Sequence, residues 1–473
     1  MALAGLATAA LLFLSFPPVA MGALAWVAFV PFLLALDRFT DRKDFLFGLG
    51  VGMVAYGALL HWFFDIFGLP AIVLVAILAA FLGFFATFHG VLFARTRPLA
   101  ALFLAPALWV GTEFFRSECW FLEFAWLGLG YSQSENPAVL QWASLVGVYG
   151  IAYAVFWTNY LAYLLLSGRV SIRVRSTWLV VGPAMALLAA GEIWGWVRAG
   201  EETPADVPVL LVQGEGSPSA LFDETAKGLA ECDPWLVAWP EYSFGISEGN
   251  PTEKPYHAPR LEGVARAKGS YFVFGCCRPA RGEPFDPGWT PGFCYPRTDF
   301  ENTAVLLDRG GKEIGSYTKH RPIQLFQDGR PGVGFPTFVT ERGRIGILIC
   351  YDMDFPRFPR RIVREGAGLL VVPTMDARHW GRFARTQHAA MAPLRAVETD
   401  RFLARPATSG RTLVLDPRGR VVDSLDGPEP GWLASQVGFR ETETFYVRYG
   451  WLFAHLAWLA VVLHAAARAL RWR

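Results

Sequence analysis

The sequence predicts a multi-pass α-helical membrane domain joined to a mixed α/β sandwich. Three observations carry that prediction. The hydrophobic fraction is 53% and the mean hydropathy +0.31, both high for an ordinary soluble chain. That apolar content is concentrated in residues 1–197 and 449–470, whereas 198–447 holds most of the acidic residues and prolines. Within 207–430, short apolar runs alternate with helical stretches, the pattern of an α/β layer structure. The expected organisation is therefore a membrane domain over 1–197, a soluble domain over 198–447 and a closing membrane helix with its tail over 448–473. A net charge of +2 gives no reason to expect a nucleic-acid partner.

A membrane-crossing helix needs about 20 mostly apolar residues. Seven such runs are read before residue 200, at 2–16, 19–36, 45–67, 70–94, 98–115, 138–166 and 176–197, and an eighth at 449–470. Phe16-Pro17-Pro18 separates the first two. A signal peptide is the rival reading of 1–21. The missing basic residue and the apolar run that follows at once favour a hairpin that stays in the protein. The connections after the second, fourth and sixth helices, with the C-terminal tail, carry Arg38, Arg42, Lys43, Arg95, Arg97, Arg169, Arg173, Arg175, Arg468, Arg471 and Arg473. The alternate short connections carry only Arg116. Basic loops stay in the cytoplasm, so both termini are expected there and 198–447 outside. Glu113 and Arg116 are one helical turn apart and positioned to pair. The aromatic stretch that follows, with Trp126 and Tyr131, reads equally as an interfacial belt or as the wall of a lipid cleft.

In the soluble domain the expected strands are Val207–Gln213, 235–239, 271–275, 303–308, 337–339, 345–351, 369–373 and 412–416, and the expected helices 219–231, 258–268, 357–365 and 385–398. Several strands are apolar on consecutive residues, as in a sheet covered on both faces. The stretches 249–258 and 281–300, rich in Pro and Gly, read as mobile loops. Of six cysteines, none forms a C-x-x-C pair, so no metal site is expected. A disulfide among Cys276, Cys277 and Cys294 would suit an oxidising compartment; buried free thiols are the plainer expectation.

Three segments carry candidate chemistry. Ala238-Trp239-Pro240-Glu241-Tyr242 ends a buried strand at a carboxylate. Gly315-Ser316-Tyr317-Thr318-Lys319-His320 places an ammonium after a strand. Ile345-Gly346-Ile347-Leu348-Ile349-Cys350-Tyr351-Asp352 ends an apolar strand at a thiol ahead of Pro356 and a helix. Each alone also fits a core cysteine or a surface ion pair. Together they form a working set: a carboxylate to take the thiol proton, a thiol to attack, and an ammonium to hold the developing oxyanion. His379 and His388 are rival bases.

These three segments, in this order, resemble the Glu, Lys and Cys motifs of the nitrilase, or carbon–nitrogen hydrolase, superfamily. With the membrane helices, the chain resembles the apolipoprotein N-acyltransferase family. Trp126-Leu127, Leu129-Gly130-Tyr131-Ser132-Gln133 and Gly147-Val148-Tyr149-Gly150 look like that family's loop and following helix. Gln387-His388, Met391, Arg395-Ala396-Val397-Glu398 and Ser409-Gly410-Arg411-Thr412 also follow its pattern. The resemblance implies an α-β-β-α sandwich with Glu241 as base, Lys319 as oxyanion stabiliser and Cys350 as nucleophile. It implies acyl transfer from a membrane phospholipid, through a thioester, to the α-amine of a diacylglyceryl-cysteine at an apolipoprotein N-terminus. It implies no cofactor, no metal and a monomer in the bacterial inner membrane. Tyr351, Asp352, Gln327, Asp376, Trp380, Trp126 and Tyr131 are the expected supporting or substrate-binding residues. The sequence departs from the family near Gln327 and Asp328, where a second glutamate is usual, at Asp352, one methylene shorter than the usual glutamate, at Met375-Asp376 for Asn-Asp, and at Thr408-Ser409-Gly410 for Asn-Asn-Gly. These departures leave a different acceptor, or a membrane-tethered amidase, as the alternatives.

Overall fold

A computed structural model of the chain describes every residue except 39–41, 216–217, 246–257, 281–298, 327 and 471–473. The chain forms two compact units, Met1–Glu201 with Arg448–Arg473, and Glu202–Val447. The stretches 249–258 and 281–300 fall almost wholly outside the described residues, as do Cys294 and Gln327.

The first unit is helical. Among the described residues, five helices are long and apolar enough to cross a membrane: Ala71–Phe93, Pro98–Cys119, Ala143–Leu166, Arg175–Ala199 and Tyr446–Leu470. Three of the eight expected crossings are shorter among the described residues. Ala2–Ser15 has 14 residues. The run expected at 19–36 is a 3-10 turn, Gly22–Trp26, followed by the seven-residue helix Val30–Leu36. That expected at 45–67 divides into Arg42–Leu59 and Phe63–Phe67. Hydropathy counts apolar residues and does not register where the backbone turns. Buried polar groups hold these turns: Asn159 Oδ1 accepts from Phe29 N–H at 2.7 Å and its Nδ2 donates to Ala25 O at 2.8 Å. Arg42–Leu59 packs against Ala71–Phe93 through small residues; a Cβ on Gly52 would sit 2.7 Å from Ala79 Cα, the close approach typical of helices in lipid.

The second unit is an α-β-β-α sandwich. Its strands are β1 (Val207–Gln213), β2 (Leu236–Ala238), β3 (Phe244–Gly245), β4 (Tyr271–Pro279), β5 (Phe300–Leu307), β6 (Glu313–Thr318), β7 (Thr337–Thr340), β8 (Gly343–Ile347), β9 (Leu369–Val371), β10 (Phe402–Arg405), β11 (Arg411–Leu415), β12 (Val421–Asp426) and β13 (Gly431–Val437). One sheet runs β13-β1-β2-β4-β5-β6 with β3 on β4; the other runs β12-β11-β10-β9-β8-β7. Strands β1, β2 and β4 are parallel, as are β8, β9 and β10. Facing side chains such as Val209, Leu211, Ala238, Val273, Ile345, Ile347, Leu369, Val371 and Leu403 fill the space between the sheets. Helices Pro218–Glu231 and Ala258–Lys268 lie against the first sheet, where Leu221, Phe222, Leu261 and Val264 meet Leu210, Val237 and Phe272. Helices Arg357–Arg364 and Ala392–Thr399 cover the second. Both faces of the central parallel strands are thus apolar, which is why they read as continuous hydrophobic runs.

Candidate active site

Parallel strands of the two sheets end at one place. In open parallel sheets, functional groups gather beyond the carboxyl ends of the strands. β2 ends at Ala238 and delivers Glu241; β8 ends at Ile347 and delivers Cys350; β9 ends at Val371 and delivers Met375 and Asp376. The antiparallel strand β6 adds Lys319 just past Thr318.

Glu241 and Lys319 are each 1% exposed. Lys319 Nζ donates to Glu241 Oε1 at 2.9 Å and pairs with Asp328 Oδ2 at 2.8 Å. Asn302 Nδ2 bridges the two acids, donating to Glu241 Oε1 at 2.7 Å and Asp328 Oδ1 at 3.0 Å. Ile323 N–H donates to Asp328 Oδ2 at 2.6 Å, and Tyr242 O–H donates to Asp328 Oδ1. Burial opposes the Lys319 charge, but Asp328 and Glu241 outweigh it and hold the ammonium well above its usual range. A buried ion pair is tolerable only when its remaining hydrogen bonds are satisfied, and these are.

Cys350 does not continue the strand as expected. Strand β8 stops at Ile347, and Cys350 opens the 3-10 turn Cys350–Asp354 with φ of 48°. A positive φ on a non-glycine residue is strained and must be held by its surroundings. Here Cys350 N–H donates to Pro373 O at 2.9 Å. The sulfur reaches Met375 O at 3.7 Å, while Met375 N–H donates to Glu241 Oε2 at 2.8 Å. One residue, Met375, therefore touches the thiol with its carbonyl and the carboxylate with its amide. Burial, with the Glu241 charge, pushes the Cys350 thiol well above its usual range against the pull of Lys319. Burial thus disfavours the thiolate beside the Glu241–Lys319 pair.

Asp352 braces this turn. Its Oδ2 accepts from Tyr317 O–H at 2.8 Å and His320 N–H at 3.2 Å, and its Oδ1 from Arg321 N–H at 2.7 Å. Burial raises its carboxyl to about 6 despite the Lys319 charge. Tyr351 is half-buried, its ring 4.9 Å from that of Phe355. Asp376 is buried among His388, Arg405 and Thr408. Trp380 is half-buried in the turn before helix Gly381–Ala389, its ring 6.4 Å from Phe326. Gln327 lies outside the described residues. Trp126 and Tyr131 belong to the helical unit, where both are buried. There Glu113 and Arg116 bind the intervening loop rather than each other: Glu113 Oε1 accepts from Leu129 N–H at 2.7 Å and Arg116 donates to Trp126 O at 2.8 Å. The loop's buried backbone groups need partners, and these two charged side chains supply them.

His379 is exposed. His388 is buried between Asp354 and Asp376; burial disfavours its charge, but the two carboxylates lift its pKa to about 9, so at neutral pH it has no lone pair to offer. The plain expectation of free thiols also needs correction. Cys277 is disulfide-bonded, whereas Cys119, Cys232, Cys276 and Cys350 form no disulfide. Sequence reading missed Asn302 and Tyr242 as members of the site. Asp328 stands beside Gln327, where an acidic residue was sought, and its carboxylate is the one that reaches Lys319.

Two facing sheets with glutamate, lysine and cysteine gathered at their strand ends define a carbon–nitrogen-hydrolase-type domain. A carbon–nitrogen hydrolase domain model matches residues 220–441, and one for the apolipoprotein N-acyltransferase N-terminal domain matches residues 8–161. A protein of Geobacter metallireducens named apolipoprotein N-acyltransferase is 30% identical over 98% of this chain and 94% of its own length. Proteins of the same name from Chlorobaculum tepidum and Pseudomonas paraeruginosa are 25% and 26% identical, covering 98% and 99% of this chain and 94% and 96% of their own lengths. This chain belongs to the apolipoprotein N-acyltransferase family and is an enzyme of N-acyl transfer.

Proposed function

We propose that this enzyme transfers a fatty acyl chain from a membrane phospholipid to the N-terminal α-amine of S-diacylglyceryl-cysteine in bacterial lipoproteins, by a ping-pong route through a Cys350 thioester. The observation that carries the reading is the Met375 link between the Cys350 thiol and the Glu241 carboxylate, with Lys319 paired to that carboxylate.

The chemistry follows from the resting protonation. Cys350 is a neutral thiol, so attack requires a base. Glu241 takes the proton as the sulfur adds to the ester carbonyl. Negative charge then develops on the carbonyl oxygen. Lys319 has three N–H donors, two directed at Glu241 and Asp328; the third meets the oxyanion. Removing one such donor costs about 10²–10³ in rate. Collapse expels the lysophospholipid oxygen, which takes the proton back from Glu241, and leaves the acyl group on sulfur. In the second half, the lipoprotein amine adds to the thioester and gives its proton to Glu241. The Cys350 sulfur leaves as the thiol, and an amide remains.

Both substrates are lipid-anchored, so the reaction belongs at a membrane surface. The arginine bias of the loops supports an inner-membrane protein with both termini in the cytoplasm and residues 198–447, as a catalytic domain, on the outer face. In the same reading residues 1–197 and 448–473 are the membrane parts, the enzyme is a monomer, and Tyr351, Asp352, Asp376, Trp380, Gln327, Trp126 and Tyr131 support or line the substrate path. The test supplies phospholipid with a labelled acyl chain and a diacylglyceryl-cysteine lipopeptide in detergent micelles. Label on the lipopeptide amine supports the reading. Release of labelled free acid instead would make the chain an amidase-like hydrolase, and transfer only to another amine would make it a paralogue with a different acceptor.

A further inference from the structure

A second charged cluster lies behind Cys350 and takes no part in the chemistry above. His388 Nδ1 is 2.7 Å from Asp376 Oδ1, and its Nε2 is 3.3 Å from Asp354 Oδ1. Asp354 closes the 3-10 turn that Cys350 opens. Asp376 follows Met375, whose carbonyl faces the Cys350 sulfur. His388 thus joins the two chain segments on either side of the thiol. Arg405 Nη2 adds a second cation on Asp376 Oδ2 at 2.7 Å. Thr408 Oγ1 accepts from Asp376 N–H at 3.0 Å, and Ser409 O–H donates to Asp376 O at 2.8 Å and also to Glu215. His388, Asp354, Asp376 and Arg405 are all buried.

We propose that His388 is a positioning residue for the nucleophile: as an imidazolium bridging Asp354 and Asp376, it clamps the Cys350 turn and shields the forming thiolate from both carboxylates. The inference rests on the thioester reading. Beyond burial, which disfavours the thiolate most, Glu241, Asp376 and Asp354 disfavour it and Lys319 favours it. Without the His388 cation, both Asp354 and Asp376 lose a compensating charge. Burial magnifies the imbalance, because charges in a low-dielectric interior are poorly screened. Burial and Arg405, whose Nη2 lies 3.1 Å from His388 Nδ1, oppose the imidazolium, but Asp354 and Asp376 outweigh them and keep the clamp charged at neutral pH.

The test is the rate of thioester formation from phospholipid, followed by intact mass from pH 6 to 10. The proteins compared are wild type, H388Q, D354N and the double variant H388Q/D354N, each with its melting temperature. Glutamine keeps hydrogen-bonding ends but no charge. H388Q is expected to form the thioester about tenfold more slowly at pH 7, one pKa unit's worth, with its profile displaced to higher pH. D354N removes a negative charge and is expected to displace the profile to lower pH. The double variant restores charge balance and should recover most of the wild-type rate. A purely structural role predicts the opposite for the last two: D354N slower than wild type, and the double variant no faster than H388Q. Either of those results overturns the proposal, as does an unshifted H388Q profile. Should H388Q fail to fold, the direction of the D354N shift decides. Absence of any thioester in the wild type would instead refute the functional reading, so the two failures are separable.

Discussion

Gly275 is the most informative residue to change, because it touches no substrate and yet sets where Glu241 stands. It lies in β4 beside the end of β2, and its N–H donates to Pro240 O at 3.1 Å. A Cβ there would sit 2.5 Å from Glu241 Cα, 2.6 Å from Pro240 O and 2.9 Å from Tyr242 N. All three are backbone atoms, so no side chain can swing aside. Ordinary contact begins near 3.4 Å, and the Glu241 backbone would have to retreat by about 1 Å. A displacement of that size costs about 10²-fold in a rate that depends on alignment. Here it would separate Glu241 from Lys319 Nζ and Met375 N–H, now 2.9 Å and 2.8 Å away. Overpacking of this kind also costs about 1–3 kcal/mol. Gly275→Ala is therefore expected to lower transfer from labelled phospholipid to lipopeptide about 100-fold while the domain still folds, with a melting temperature a few degrees lower. Transfer within about threefold of wild type would refute the claim that the β2–β4 contact positions the base.

Further outcomes follow from the same contacts. Asp328→Asn turns an amide N–H₂ toward buried donors, since both Asp328 oxygens accept from Tyr242, Asn302, Ile323 and Lys319; with about 1–3 kcal/mol lost for each unsatisfied group, its unfolding midpoint should fall clearly and transfer with it, and an unchanged midpoint would count against the network. Glu398→Ala removes the carboxylate 2.5 Å from the buried Arg395 guanidinium and should destabilise the domain by about 3–5 kcal/mol, measured by denaturant unfolding. Stability should also depend on pH through Asp376 and His388. Burial would raise the Asp376 pKa, but Arg405 and His388 hold it down to about 2, so its contribution is present above the usual carboxylate range and is lost as the pH falls through 2. His388, lifted to about 9 against burial by Asp354 and Asp376, contributes fully below its usual pKa and loses that contribution as the pH rises through 9. Unfolding midpoints should thus decline from near-neutral pH toward 9, and H388Q should flatten that alkaline limb.

What the sequence made legible follows from local patterning. Strand β1 and helix Ala258–Lys268 stand where their runs end, because both terminate in turn-forming residues. Glu241, Lys319 and Cys350 were readable as strand-end residues, and the fold brings Glu241 and Lys319 into contact and sets Cys350 against Met375. Strand β10 was not readable: it is four residues long, holds the buried Arg405, and gains its identity from parallel pairing with β9. Strands β12 and β13 were missed because they carry exposed or mixed residues, so no apolar run marks them. The helix read at 385–398 breaks at Ala390-Met391, with Pro393 in the first turn of the second piece, a favoured place for proline that a helical periodicity conceals. Asn302 was illegible for another reason. It becomes a site residue only through contacts 26 and 61 positions away in the chain, which one sequence does not encode locally.

The central claim is covalent catalysis at Cys350, and intact mass addresses it most directly. Wild-type protein and C350A are incubated in phospholipid micelles without acceptor and weighed. The account predicts an acyl-sized mass increase on the wild type alone, discharged when the diacylglyceryl-cysteine lipopeptide is added. An adduct of the same mass on C350A, or lipopeptide acylation by C350A at the wild-type rate, would contradict it.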